Sequence, residues 1–169
     1  MKIKVLTWLM LFTLMGFSSC QSQETSKPIK NEMMKENTEF NVNKSEEEWK
    51  QLLTDEEYYV LREAGTERPY SGEFNMHFEK GIYSCKACGE QLFESESKFD
   101  AHCGWPSFDQ AIEGKIVEKT DTSHGMIRTE TVCANCGSHL GHVFDDGPTE
   151  TGLRYCMNSV SLDFEDTTE

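Results

Sequence analysis

The sequence predicts a mainly β domain, antiparallel and built of short strands, entered through short N-terminal helices. Three observations lead there. The segments "GIYSC", "QLF", "KIVEK", "MIRTETVC" and "LRYCMNSVSLDF" are short, rich in β-branched or aromatic residues, and separated by clusters of Gly, Asp, Asn and Ser. Two serine- or threonine-led boxes stand ahead of them, Ser45 with Glu48 and Thr54 with Glu57, at the spacing of a reciprocal helix cap. Two CxxC-Gly turns, Cys85/Cys88 and Cys133/Cys136, tie distant parts of the β region to one point.

Taken from the N-terminus, the first twenty residues are not part of that domain. "MKIK" is a basic start, and "VLTWLMLFTLMGF" is an apolar run of thirteen residues, too short for an ordinary membrane span. "SSC" follows, so residues 1–20 read as a signal peptide and the chain as exported. The stretch "GFSSC" resembles a bacterial lipoprotein cleavage box, with Cys20 as the lipidated residue and Phe17 where an aliphatic residue is usual. Residues 21–44 are polar and nearly free of core-forming side chains, which is the composition of a flexible tether. The folded domain is expected over 45–169. Its two helices carry Trp49, Leu52, Leu53, Tyr58, Val60 and Leu61 as apolar residues, and Gly65 is the natural stop.

Charge narrows the partners. The chain carries a formal −14, and residues 45–169 hold ten basic against twenty-six acidic side chains. Phosphate binding needs a basic face, so nucleic acid is excluded as a partner; an acidic surface of this kind keeps a protein soluble. With 169 residues the chain holds one domain with a real core, and no internal repeat runs through it.

The cysteines are the most informative residues. A CxxC turn closed by glycine aims two thiolates at one point, because glycine permits the turn. Two such turns supply the four ligands of a closed tetrahedral site suited to structural Zn2+, one per chain. The rival reading is a redox disulfide in each turn. His139 follows Cys136 by three residues but is left free, since four thiolates complete the site. Cys103 and Cys156 belong to neither turn. At the strand period of two, Leu153, Tyr155 and Met157 face one way while Arg154, Cys156 and Asn158 face the other. The apolar phase then slips, with Val160, Leu162 and Phe164 on even numbers, so a bulge or break is expected near Asn158–Ser159. Cys156 thus shares a polar face with a guanidinium, whose charge lowers a thiol pKa. "HLGHVFDDGP" holds His139 and His142 on what reads as a loop, open to roles as acids, metal ligands or surface histidines. "CGWPSF" sets Cys103 beside Trp105, Pro106 and Phe108, either a core corner or the wall of a small apolar pocket.

Together these pieces resemble the B-type methionine sulfoxide reductases, which reduce the R epimer of methionine sulfoxide. The resemblance runs from about Glu48 to Phe164 and is carried, in the family's order, by "LREAGTERPYSG", "GIYSCKACGEQLF", "KFDAHCGWPSF", "SHGMIRTE", "CANCGSHLGHVFDDGP" and "GLRYCMNSVSL". The family usually has Ser-Gly where this chain has Ala101 and His102, often proline at Asp145, and commonly a small residue at Val160. The resemblance implies two antiparallel sheets packed on each other, helices at the N-terminal end, and zinc on the side away from the substrate. It implies that Cys156 is the nucleophile, becoming a sulfenic acid, and that Cys103 resolves it as a disulfide. A thioredoxin-type dithiol then reduces that disulfide. Trp105 matches the residue that packs the substrate methyl. Val143 matches a pocket wall, and Arg154 stands among the substrate-binding positions. His139, His142 and Asn158 match positions that orient the substrate or protonate the departing oxygen. Cys85, Cys88, Cys133 and Cys136 match the zinc ligands. The expected partners are exported proteins carrying methionine-R-sulfoxide, the dithiol reductant and, through a lipid anchor, the membrane; the chain is expected to be a monomer. Two other classes compete: a zinc-ribbon binding module without chemistry, which has no need of Cys103 and Cys156, and a thiol–disulfide oxidoreductase, which keeps its pair in one CxxC.

Overall fold

The computed structural model describes residues 39–167. The expected leader, Cys20 and the expected tether up to residue 38 lie outside the described residues. Both capping boxes form. Helix α1 (Glu46–Leu52) is capped by Ser45 and α2 (Asp55–Glu63) by Thr54, each with the reciprocal glutamate bond in place. A cap of this kind stabilises its helix by ~1 kcal/mol, which matters for segments of seven and nine residues. The stop differs from expectation by one residue. Ala64 takes the left-handed conformation (φ 54°), while Gly65 is where a Cβ would come within 2.3 Å of the Tyr59 ring. The glycine serves close packing, and the alanine carries the turn. Trp49, Val60 and Leu61 are the residues the helices bury. Two apolar side chains of the expected tether also pack: Val42 donates its amide to Asn135 O (2.9 Å), and Phe40 lies over Gly137.

The β region forms two antiparallel sheets. One has the order β2 (Gln91–Glu94), β1 (Gly81–Cys85), β9 (Leu162–Asp166). The other runs β3 (Lys98–Phe99), β4 (Ser107–Phe108), β8 (Arg154–Met157), β7 (His139–Phe144), β6 (Arg128–Cys133), β5 (Ile116–Asp121). An aromatic seam joins them. Phe93 of β2 stacks on Phe108 of β4 with centroids 4.2 Å apart, and Tyr83 of β1 meets Phe108 edge-on at 5.0 Å. With Met157, Leu140 and Leu162 fully or nearly fully buried beside them, this is the core.

The break expected near Asn158 is the point where the chain changes sheets. A single 3-10 turn, Ser159–Ser161, links β8 to β9. Glu67, 6% exposed, holds that turn by accepting from the amides of Ser159 (2.7 Å) and Val160 (2.9 Å). The slip of apolar phase in the sequence is this transfer from one sheet to the other.

Candidate active site

The two CxxC turns meet. Cys85 ends β1 and Cys133 ends β6; Cys85 Sγ lies 3.7 Å from Cys136 Sγ, and Cys88 Sγ lies 3.7 Å from Cys133 Sγ. All four sulfurs fall within 4.8 Å of one another. Zinc–thiolate bonds of about 2.3 Å in a tetrahedron require sulfurs about 3.8 Å apart, so the donor set fits zinc in chemistry and in spacing. The glycine after each turn donates its amide back to the first cysteine carbonyl, Gly89 to Cys85 O (2.7 Å) and Gly137 to Cys133 O (2.8 Å). Both glycines are at φ 72°, a left-handed geometry that favours glycine. His139 stays out of this set, with Nδ1 2.7 Å from Glu130.

Cys156 occupies the middle of the larger sheet. Its register partners are Ser107 on β4 and His142 on β7. The strand alternates as expected: Tyr155 and Met157 are buried in the core, and Arg154 and Cys156 face the other way. Cys103 reaches the same point from the loop before β4. Its sulfur is 3.8 Å from Cys156 Sγ and 3.5 Å from Ser107 Oγ. That loop is pinned from outside, with Tyr70 N donating to Gly104 O (2.7 Å) and Tyr70 Oη to His102 O (2.9 Å). His102 sits at φ 53° within it, beside Asp100 at 2.9 Å.

A pocket of about 120 Å³ opens over Cys156, walled by Trp105, His142, Phe144 and Asn158 with Thr66 and Arg128 at its edge. Trp105 is oriented by its indole N–H, which donates to Glu67 O (3.3 Å). Asn158 is 3% exposed, and its amide is engaged at both ends: Nδ2 donates to Leu140 O (3.1 Å) and Oδ1 accepts from Glu67 N (3.1 Å). It therefore locks β7 and the Glu67 segment in place and presents the flank of a fixed amide to the pocket.

Three sequence-level assignments are corrected. Val143 does not wall this pocket. It points into the core, because alternate residues of β7 face opposite sides and His142 and Phe144 take the pocket side. Arg154 stands behind the wall rather than on it: Nε and Nη2 each lie 2.8 Å from an Asp146 oxygen, and the guanidinium covers the Phe144 ring at 4.5 Å. Finally, His139 and His142 sit on a strand, not a loop. Three residues apart, they would face opposite ways in a regular strand. The pairing slips between Thr131 and Val132, whose partners are Gly141 and His139, so Leu140 is an extra residue. That bulge turns the two imidazoles toward each other, with centroids 5.5 Å apart.

Two carboxylates not anticipated from the sequence hold these rings. Glu130 faces His139 Nδ1 at 2.7 Å, and Asp121 faces His142 Nε2 at 2.9 Å. Hydrogen bonds from Ser123, then from His142 and Arg128, keep the Asp121 carboxyl well below the usual carboxylate range. The bond with His139 does the same for Glu130. An ionised carboxylate only accepts, so His139 presents a proton on Nδ1 and His142 on Nε2, and in a neutral ring the other nitrogen holds a lone pair. Burial lowers the His142 pKa, which favours that neutral form.

The thiols behave unlike the expectation. Burial, reinforced by Cys103, pushes the Cys156 thiol up to about 12 and outweighs Arg154, whose guanidinium is already paired with Asp146. Burial also acts on Cys103, but there it is outweighed by Ser107, the Trp105 backbone, Cys156 and Arg154, and the Cys103 pKa falls. At rest Cys156 is a thiol, and His142 is its register partner across the strand pair.

Comparison with known proteins gives the family. The model of the SelR domain matches residues 53–166. A peptide methionine sulfoxide reductase MsrB of Variovorax paradoxus is 58% identical over 130 residues, covering 73% of this chain and 96% of that protein. The protein of the same name from Chromohalobacter salexigens is 62% identical over 125 residues (73% and 94%), and that from Agrobacterium fabrum 55% over 133 residues (78% and 98%). The chain, with Cys156 lining a small pocket and Cys103 3.8 Å from it, belongs to the SelR domain family of methionine sulfoxide reductases.

Proposed function

We propose that this enzyme reduces methionine-R-sulfoxide in exported proteins by a sulfenic acid route on Cys156. The observation that carries the proposal is the Cys103–Cys156 pair, 3.8 Å apart, with Cys156 lining the pocket walled by Trp105 and His142. The substrate methyl packs on Trp105 and the sulfoxide sulfur faces Cys156. His142 takes the Cys156 proton as the thiolate attacks and gives it to the sulfoxide oxygen. That oxygen passes to Cys156 as a sulfenic acid, and the substrate leaves as a thioether. Sulfur on Cys156 loses the two electrons that the substrate sulfur gains. Cys103 then attacks the sulfenic acid, water departs and a disulfide forms; closing it needs an approach of about 2 Å between the sulfurs. A thioredoxin-type dithiol returns both thiols by exchange. Neither a binding module nor an ordinary disulfide exchanger accounts for a recessed thiol with a histidine base and a side-chain-sized pocket.

Cys85, Cys88, Cys133 and Cys136 would hold one zinc, whose contribution is to clamp β1 to β6. Lipid on Cys20 would place the enzyme at the cell envelope on a polar tether, as a monomer. Turnover of separated R and S sulfoxides with a dithiol tests the reaction: methionine should appear from R alone. Equal rates on both epimers would remove the stereochemical assignment. Mass spectrometry of the mature N-terminal peptide tests the anchor.

A further inference from the structure

We infer that a second cleft beside the pocket selects substrates in which a lysine or arginine flanks the oxidised methionine. The inference rests on the sulfoxide reductase reading of the Cys156 pocket and assigns the neighbouring space to the rest of the peptide. The pocket, at about 120 Å³, has room for one side chain and none for the chain that carries it. The cleft, at about 550 Å³, shares Thr66, Arg128 and His142 with it, so a peptide leaving the pocket on that side enters the cleft directly.

Its lining specifies the chemistry. Glu63, Asp121 and Glu130 contribute three carboxylates against the single guanidinium of Arg128. Asp121 is committed to Arg128 and His142, and Glu130 to His139. Glu63, exposed at the end of α2, makes no ion pair among the described residues. A separate observation points to a donor as ligand. His139 is 4% exposed and lines this cleft, and its Nε2 is buried with no hydrogen-bond partner among the described residues. With Nδ1–H given to Glu130, Nε2 of the neutral ring is an acceptor. An unpartnered buried acceptor costs free energy until a donor fills it. A cation bearing several N–H groups satisfies His139 Nε2 and the Glu63 carboxylate together. An acidic side chain meets carboxylates and leaves the imidazole unpaired. Cys103 is absent from the cleft lining, so the dithiol reductant has no reason to occupy it.

The test uses five-residue peptides with methionine-R-sulfoxide at the centre and lysine, alanine or glutamate on either side. The full chain is assayed with dithiothreitol. At one flank, lysine should exceed glutamate in kcat/KM by roughly three- to tenfold, with alanine between, as expected for a part-screened ion pair. Glu63→Gln should shrink that ratio at least threefold while leaving the blocked single residue, N-acetyl-methionine-R-sulfoxide N-methylamide, unchanged. Glu63→Lys should invert the order. Reduction of the blocked residue with no lysine preference at either flank would overturn the cleft assignment alone. So would a preference that Glu63→Gln and Glu63→Lys leave intact. Failure to reduce the blocked residue would overturn the reductase reading and this inference with it.

Discussion

The molecule holds two sets of cysteines at nearly the same spacing, 3.7 Å between sulfurs in the four-cysteine cluster and 3.8 Å between Cys103 and Cys156, yet they are built for opposite ends. In the cluster, each pair sits on one tight turn whose amides are bonded to its own carbonyl, so position is set locally and four donors close the site. In the Cys103–Cys156 pair, proposed as the reactive one, position is set by distant elements: Cys156 by the strands on either side and Cys103 by a loop clasped at Tyr70. Sulfur separation does not distinguish a structural site from a reactive one. The number of donors and the presence of a pocket, a base and room to move do.

The sharpest way to break the contrast is to exchange one atom in each set. Cys156→Ser should lower methionine release by at least about 10⁴-fold, since the hydroxyl is not activated as the thiol is. Cys103→Ser should release one equivalent of methionine and stop, with a sulfenic acid on Cys156 detected by a carbon-acid probe; sustained thioredoxin-driven turnover would take Cys103 out of the cycle. Neither should lose metal. Cys136→Ser should lose it, together with more than ~3 kcal/mol of stability measured by chemical denaturation. Full zinc occupancy in that variant would bring His139 back as a ligand.

Next in size is the base. Asp121→Asn should lower kcat by about 10²-fold through misprotonation of His142. The wild-type acid limb should lie below the ordinary histidine value of ~6.5, because burial lowers the His142 pKa and only the neutral ring accepts the thiol proton. Since the Asp121 bond raises that pKa, its loss should move the limb to still lower pH. A limb that stays in place or moves up would point to another base. The smallest effect is expected at the loop. His102→Gly relieves a left-handed residue and should stabilise the protein by less than ~1 kcal/mol, because part of the gain is returned as freedom of the unfolded chain.

Where the sequence was legible, the determining contacts are short-range. Ser45 and Glu48, or Cys85 and Cys88, are close enough along the chain to dictate their own geometry. The facing of Cys156 was legible for the same reason, as strand alternation is local. What could not be read depends on pairing. The bulge at Leu140 exists only relative to β6, so in the sequence the strand under the histidines reads as a loop and the side that Val143 takes is not legible. Asp121 and Glu130 gain their roles from β7 and are unmarked in sequence. The thiol pKa went the other way because burial is a property of the folded whole, and no neighbouring residue announces it.

The extra residue at Leu140 makes the length of β7 a constraint separate from its composition. Substitutions along the strand act one at a time and in proportion to what each side chain touches. Inserting one residue between Gly141 and His142, with the bulge kept, would instead send His139 and His142 to opposite faces. Every residue with chemistry would still be encoded. The proton path proposed through His142 would nevertheless lose its geometry. For this strand, an added residue is a heavier lesion than most replacements.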